Sequence, residues 1–269
     1  MKIAVFYENI HDMALDAGMK MDVAMAMLRD EGMELLYMKP ESWIRDRYEL
    51  SMAMEKLGLD IEGMHFYCDF AAEPDTERYK DAIDAAAEAG AGNILVIPGM
   101  YTSDNPVRDL ENMINGMQRA VDYGQRKKIQ VLMEDYDGKT APYNSITGLQ
   151  YFMDRVEGLG CAFDTGNFVM FHENELEAYD QFADRIRTVH LKDRCAVKRH
   201  DGDVPFHCAD GSPIYACTIG SGNIQIAEIL NKLRRHDYPG NVIVELYACD
   251  PKYMLNDAID SIRWVKEHI

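Results

Sequence analysis

The sequence predicts an α/β fold, a single-domain (β/α)8 barrel spanning residues 1–269. Eight short apolar runs alternate with eight amphipathic stretches, the pattern of parallel strands covered by helices. Successive runs begin about 30 residues apart, the length of one βαβ unit. A chain of 269 residues meets the roughly 250 that such a barrel needs, and no Pro/Gly/Ser-rich linker divides it. A doubly wound open sheet is the main rival. It would want a G-x-G-x-x-G turn after the first strand, which this chain lacks.

The elements follow in order. Strand one is residues 2–7, and a Met-rich amphipathic helix covers 13–29. Strand two is 33–38; its helix, 42–57, opens on Ser42 as N-cap and stops at Gly58. Strand three is 62–67, with a helix at 76–89 between Asp75 and Gly90. Strand four is 93–97; Asn105-Pro106 starts the helix 107–127, and Arg126-Lys127-Lys128 place cations at its C-terminal end. Strand five is 130–134, with helix 146–158 closed by Gly158. Strand six is 161–164 and its helix 175–185; strand seven is 188–191 and its helix 224–235. Strand eight, 242–246, precedes a last helix at 253–268. The connection 193–223 is anomalous in length and rich in Gly, Asp, His and Cys. Loops that long are uncommon and usually functional, so it is expected to cover a substrate.

Strands five to eight read VLMED, CAFDTGN, TVHLKD and VIVEL. Each ends on an acidic or imidazole side chain: Glu134, Asp164, His190 and Glu245. Chemistry in such barrels is done at the C-terminal ends of the strands. Carboxylates facing one another there would repel and raise one another's pKa, and a divalent cation removes that repulsion. Three oxygen ligands and one nitrogen suit one Mn²⁺ first, with Mg²⁺, Co²⁺ or Zn²⁺ as alternatives. Positions left open on the metal can take a sugar carbonyl and its neighbouring hydroxyl, so that the metal stabilises an enediolate. A carboxylate on each side of the sugar can act as base and acid.

Around this set, Lys192 shares the strand face of His190, and Glu8 follows strand one; both are candidates for substrate hydroxyls. Aromatic residues follow many strands and can give a sugar pocket its apolar wall, Tyr7, Tyr101 and Tyr136 most readily. Gly220-Ser221-Gly222-Asn223 opens a helix and could hold a phosphate.

The segments MEDYD, FDTGNF, HLKD, GSGNI and VIVELY together resemble the xylose isomerase-like TIM barrel superfamily. That superfamily holds sugar phosphate isomerases/epimerases and AP endonuclease family 2. The resemblance covers essentially the whole chain. It implies that Glu134, Asp164, His190 and Glu245 bind the metal, that Glu134 and Glu245 double as the acid/base pair, and that His65 is a site residue. Asn167 stands where relatives carry a His after the Asp, and Ala196 where free-ketose 3-epimerases carry an Arg, with Arg194 nearby. His65, Lys192, Asn167, Tyr7, Tyr101, Tyr136 and Arg194 are thus the expected substrate-binding residues.

The resemblance implies a sugar or sugar phosphate isomerase/epimerase. A metal-dependent lyase or dehydratase on a keto-sugar or keto-inositol, inosose dehydratase-like or C-glycoside-cleaving, needs the same site and is the alternative. A non-catalytic sugar-binding barrel ranks lower. So does an endonuclease IV-like role, because a net charge of −18 repels a phosphate backbone. No stretch approaches the ~20 apolar residues of a spanning helix, and the N-terminus shows no signal peptide. Six scattered cysteines without a C-x-x-C pair point to a reducing cytoplasm. Expected partners are a small sugar, no nucleic acid and no membrane; homo-oligomers are compatible with the resemblance.

Overall fold

In the computed structural model, which describes residues 1–102 and 104–269, eight parallel strands close on themselves. They are β1 (Ile3–Phe6), β2 (Met33–Met38), β3 (Asp60–Tyr67), β4 (Asn93–Ile97), β5 (Gln130–Met133), β6 (Gly160–Asp164), β7 (Ile186–Leu191) and β11 (Val242–Val244). Their order around the barrel is β1-β11-β7-β6-β5-β4-β3-β2, and every neighbouring pair runs parallel. The (β/α)8 expectation therefore holds. Among the described residues no helix is long and apolar enough to cross a membrane.

Strand pleating sends alternate residues inward. The lower inward layer is apolar or small: Ala4, Leu35, Leu95, Leu132, Ala162 and Ile243 pack there with Phe6 and Tyr37. Gly63 of β3 belongs to the same layer because nothing larger fits. A Cβ at Gly63 would come within 2.2 Å of Asn93 Oδ1 and 2.8 Å of the Tyr37 ring. Two residues further along each strand lies the upper layer. On β1 to β4 it is Phe6, Tyr37, His65 and Ile97; at the ends of β5, β6, β7 and β11 it is Glu134, Asp164, His190 and Glu245. One half of the barrel floor is thus ring-rich and the other half carries the acids and the imidazole.

The helices seal the outward strand faces: α3 (Pro40–Leu57), α4 (Arg78–Glu88), α5 (Pro106–Lys127), α6 (Ile146–Arg155), α7 (Glu175–Phe182), α8 (Ile226–Arg235) and α9 (Pro251–His268). Asn105 caps α5 as expected, accepting from the Arg108 amide at 3.2 Å. Gly58 closes α3 in the left-handed region, φ 68°. The helix expected at 13–29 is instead two, α1 (Tyr7–Asp16) and α2 (Met21–Glu31). Gly18, at φ 61°, turns the chain between them, and the first starts directly at the end of β1 with no loop. Ser42 does not cap α3, which begins at Pro40; its hydroxyl donates to Glu8 at 2.7 Å.

The long connection is ordered. It forms an antiparallel sheet of β8 (Asp193–Cys195), β9 (Phe206–His207) and β10 (Pro213–Cys217), in the order β8-β10-β9. Asp203 and Asp250 tie it to the start of α9: Asp203 accepts from the Asp250 amide and Asp250 from the Gly202 amide, both at 2.9 Å.

Gly63→Ala tests the inward packing. The added methyl should destabilise the barrel by about 1–3 kcal/mol, read as a lower urea midpoint, whereas Gly58→Ala at an open helix end should cost less. Equal effects would show that the lower layer is not close-packed.

Candidate metal centre

Glu134, Asp164 and His190 each offer a ligand atom, and those atoms lie within 4.8 Å of one another. The reason is local. Glu134 is the first residue past β5, Asp164 ends β6, and His190 is paired in register with Asp164. All three are buried, at 7%, 0% and 1% exposure. Glu245, the first residue past β11, stands beside them with Oε2 3.4 Å from His190 Nδ1. Its other oxygen is 2.8 Å from Lys192 Nζ. Lys192 also lies 2.7 Å from Asp164 Oδ2 and donates to Asn167 Oδ1 at 3.1 Å. The ammonium therefore sits between two of the four expected ligands and draws Glu245 towards itself.

The donor atoms fit a cation. Glu134 Oε2, Asp164 Oδ2 and both ring nitrogens of His190 are buried without a well-directed hydrogen bond, although His190 Nδ1 lies 3.2 Å from Glu134 Oε2 and 3.4 Å from Glu245 Oε2. Lys192 is close to Asp164 Oδ2 but outside hydrogen-bonding geometry. Native structures rarely leave buried polar atoms unsatisfied, and a cluster of them marks a place for an ion. The His190 ring is held edge-on against Phe6 and Tyr37, with centroids 5.3 and 5.1 Å away. Ring packing and the Glu134 and Glu245 carboxylates, 3.2 and 3.4 Å from Nδ1, together set its direction.

The electrostatics reflect this crowding. Burial pushes the Asp164 carboxyl up to about 6, with Glu245 and Glu134 adding and Lys192 opposing. Burial alone would lower the His190 pKa, but Glu134 and Glu245 outweigh it and raise the ring to about 10. Burial disfavours the Glu245 carboxylate too, yet Lys192 and His190 hold it well below the usual range. Asp135, behind Glu134, is raised well above the ordinary aspartate value, by burial first and then by Asp164 and Glu134.

A cavity of about 850 Å³ opens above the centre. Glu134, His190, Lys192, Glu245, Asn167, His65 and Tyr136 all line it. His65 stands on β3, diametrically across the strand order from His190 on β7. Its Nε2 is 3.5 Å from Glu8 Oε2. Glu8 also accepts from the Lys39 amide at 3.0 Å and from Ser42. Burial raises the Glu8 pKa, but His65, Lys39 and Ser42 outweigh it and lower it to about 2.

Three expected substrate contacts fall elsewhere. Tyr7 is the first residue of α1, so its ring turns outward; its hydroxyl donates to Asp46 at 3.0 Å, and it lines a smaller cavity against α3. Tyr101 does not line the central cavity; its amide donates to Thr140 O. Arg194 is 1% exposed, with its guanidinium 4.2 Å over the Phe206 ring, so it lies behind the wall rather than in it. The Gly220–Asn223 turn is not a phosphate site either. The amides of Gly220, Gly222 and Ile224 donate to the Asp193 carboxylate, and α8 begins only at Ile226. Sequence reasoning missed Lys39, Arg78 and Phe206, which line the cavity. The one signal for Phe206 was an aromatic residue within the unusually long connection.

The sequence profile of the family described as xylose isomerase-like TIM barrel matches residues 27–268. The chain belongs to this family. Its sequence is 23% identical to an inosose dehydratase of Lacticaseibacillus casei over 138 residues, 50% of this chain and 46% of that protein. The match thus spans about half the length of that relative. The fold is similar to that of a probable 3-DHS dehydratase from Bacillus anthracis, with TM-score 0.76, 14% identity and 99% of both chains covered. It is also similar to a D-allulose 3-epimerase from Methylomonas sp. in complex with D-allulose, with TM-score 0.73, 17% identity, and 100% of this chain and 97% of that one covered.

Two measurements probe the centre. His190 carries its proton at neutral pH, and a cation taking a ring nitrogen must displace it. Mn²⁺ titrated calorimetrically at pH 7 in buffers of different ionisation enthalpy should release about one proton per chain; binding without proton release removes His190 from the ligand set. For Glu8, the folded pKa is depressed, so its contribution to stability is present above the ordinary value of about 4.3 and lost as pH falls towards 2. The stability gap between wild type and Glu8→Gln should accordingly be wide at pH 7 and narrow at pH 2.5, measured by urea unfolding. A gap that does not change with pH would exclude an ionic role.

Proposed function

We propose that this protein isomerises or epimerises a sugar by removing a proton from the carbon next to a carbonyl. The observation that carries this reading is the buried triad of Glu134, Asp164 and His190, with unsatisfied donor atoms and Glu245 beside it. A divalent cation held by these residues would orient the carbonyl and hydroxyl oxygens of the sugar and offset the negative charge that develops as the proton leaves. Mn²⁺ suits the donor set best, with Mg²⁺, Co²⁺ and Zn²⁺ behind it.

The chain's own residues divide the remaining work. Glu245, kept ionised by Lys192 and His190, is the base on one side of the substrate. Glu134 is the carboxylate on the other. Protonation on the opposite face of the same carbon gives an epimer; protonation of the neighbouring carbon gives an isomer. Lys192 is held protonated by Asp164 and Glu245, which outweigh the effect of its burial. It therefore suits neutralising a developing oxyanion rather than passing on a proton. Asn167, whose amide donates to Asp135 O at 2.9 Å, keeps its oxygen on Lys192 and so fixes the ammonium.

A second reading, dehydration of a keto-sugar or keto-inositol, is favoured by the His65–Glu8 pair. It faces the acids across the cavity, where the His65 ring could hydrogen-bond a departing hydroxyl. The inosose dehydratase similarity supports this reading over half the chain.

Incubating the Mn²⁺-loaded protein with ketoses and inososes in deuterated water separates the two. Epimerisation or isomerisation adds deuterium without loss of water, and dehydration lowers the product mass by one water. Glu245→Gln should reduce turnover by about 10²–10⁴-fold while the folded circular dichroism spectrum is kept. Full activity in that variant would end the role given to Glu245.

A further inference from the structure

The cavity is larger and differently lined at its mouth than a reaction at the triad requires. Its volume of about 850 Å³ lies towards the top of the ~300–1,000 Å³ range of small-molecule sites. Two ring side chains meet at the rim. Phe206 comes from β9 of the excursion, and Tyr247 follows Glu245 by two residues; their centroids are 5.8 Å apart with planes 41° apart. Both line the cavity, as does Tyr136. The Arg194 guanidinium backs Phe206 from one side at 4.2 Å, and Arg194 is buried. The Phe206 ring is therefore braced from behind, with its other side available to the cavity. Tyr247 is 58% exposed, so the rim presents an aromatic surface that the described residues leave largely open.

Charge and hydrogen bonding rule against an anionic occupant. Six carboxylates line the cavity against four cationic groups, Lys39, Arg78, Lys192 and the His190 ring; Lys192 is already paired with Asp164 and Glu245, and His190 with Glu134 and Glu245. The backbone amides of the glycine-rich turn, which could have bound a phosphate, are taken by Asp193. An uncharged group with a flat apolar face matches what remains.

We propose that Phe206 and Tyr247, with Tyr136, form a second subsite at the cavity mouth for an aromatic ring attached to the reacting sugar. The substrate is then an uncharged sugar bearing an aryl group, not a sugar phosphate. This rests on the reading of the triad as a sugar site and extends it by one ring. Tyr247 lies two residues beyond Glu245, so a group stacked on it is joined to the atoms that Glu245 reaches. The platform acts through stacking of aromatic faces.

Calorimetric binding to the full chain tests the subsite with four probes: p-nitrophenyl β-D-glucopyranoside, methyl β-D-glucopyranoside, cellobiose and glucose 6-phosphate. The p-nitrophenyl glycoside should bind about tenfold more tightly than the methyl glycoside, the size of one to two stacking contacts. Phe206→Ala/Tyr247→Ala should bring the two within twofold. If that double variant fails to fold, Tyr247→Ala alone, at an exposed position, should remove at least half of the preference on a logarithmic scale. The subsite is overturned by equal affinities in the wild type, by a preference that survives the substitutions, or by no binding of either glycoside. Tighter binding of cellobiose would replace the aromatic occupant by a second sugar, and tighter binding of the phosphate would reverse the charge argument; either outcome overturns the proposal. Binding does not depend on turnover. Deuterium exchange without an aryl preference therefore rejects the subsite alone, and an aryl preference without exchange on any ketose or inosose rejects the catalytic reading alone.

Discussion

Mutual repulsion among buried carboxylates is the constraint around which this barrel is arranged. Glu134, Asp164 and Glu245 converge on one imidazole at the C-terminal rim, with Asp135 close behind. Isolated from water, such a group would be driven to protonate or to move apart. The closed barrel prevents the second response, because each residue is fixed to the end of a strand whose neighbours hold it on both sides. The structure meets the charge with two cations of its own, the His190 ring and the Lys192 ammonium. Each is held in its protonated form by the same carboxylates that it neutralises.

This arrangement explains the division of the four rim residues. Three bring ligand atoms together, and Glu134 Oε2, Asp164 Oδ2 and the His190 nitrogens among them lack a directed hydrogen bond. The fourth, Glu245, is turned towards Lys192. Lysine at position 192 is thus as much a part of the centre as the residues on strand ends. Its place is set in turn by Asn167, whose side chain bridges Lys192 and the backbone of Asp135. The ring-rich half of the floor completes the site by packing Phe6 and Tyr37 against His190. The imidazole keeps its orientation because these rings flank it while Glu134 and Glu245 face its Nδ1.

Asp193 gives the excursion after β7 its form. One carboxylate gathers the amides of Gly220, Gly222 and Ile224, which are about 30 residues away along the chain. That folds the insertion back over the rim and carries Phe206 to the cavity. The price of this device is that the glycine-rich turn no longer has amides to offer a ligand. The same local sequence, Gly-Ser-Gly-Asn, would look identical in a chain where a phosphate filled the turn.

Fold class and the four rim positions were legible in the sequence because both follow from short-range rules. Strand–helix alternation shows in the hydrophobic periodicity, and pleating with period two places a residue at a strand end without reference to any other strand. The gathering of Glu134, Asp164 and His190 then follows from closure. What the sequence alone could not decide was everything set by contacts between distant segments. Tyr7, expected in the pocket, turns outward because the chain enters α1 at that residue and Asp46 of α3 receives its hydroxyl. Arg194 is hidden because the excursion lays Phe206 over it, and Glu245 leans to Lys192 because β7 and β11 are neighbours. Periodicity fixes which way a strand residue points. Only the packed chain fixes what it meets, since that depends on partners tens to hundreds of residues away.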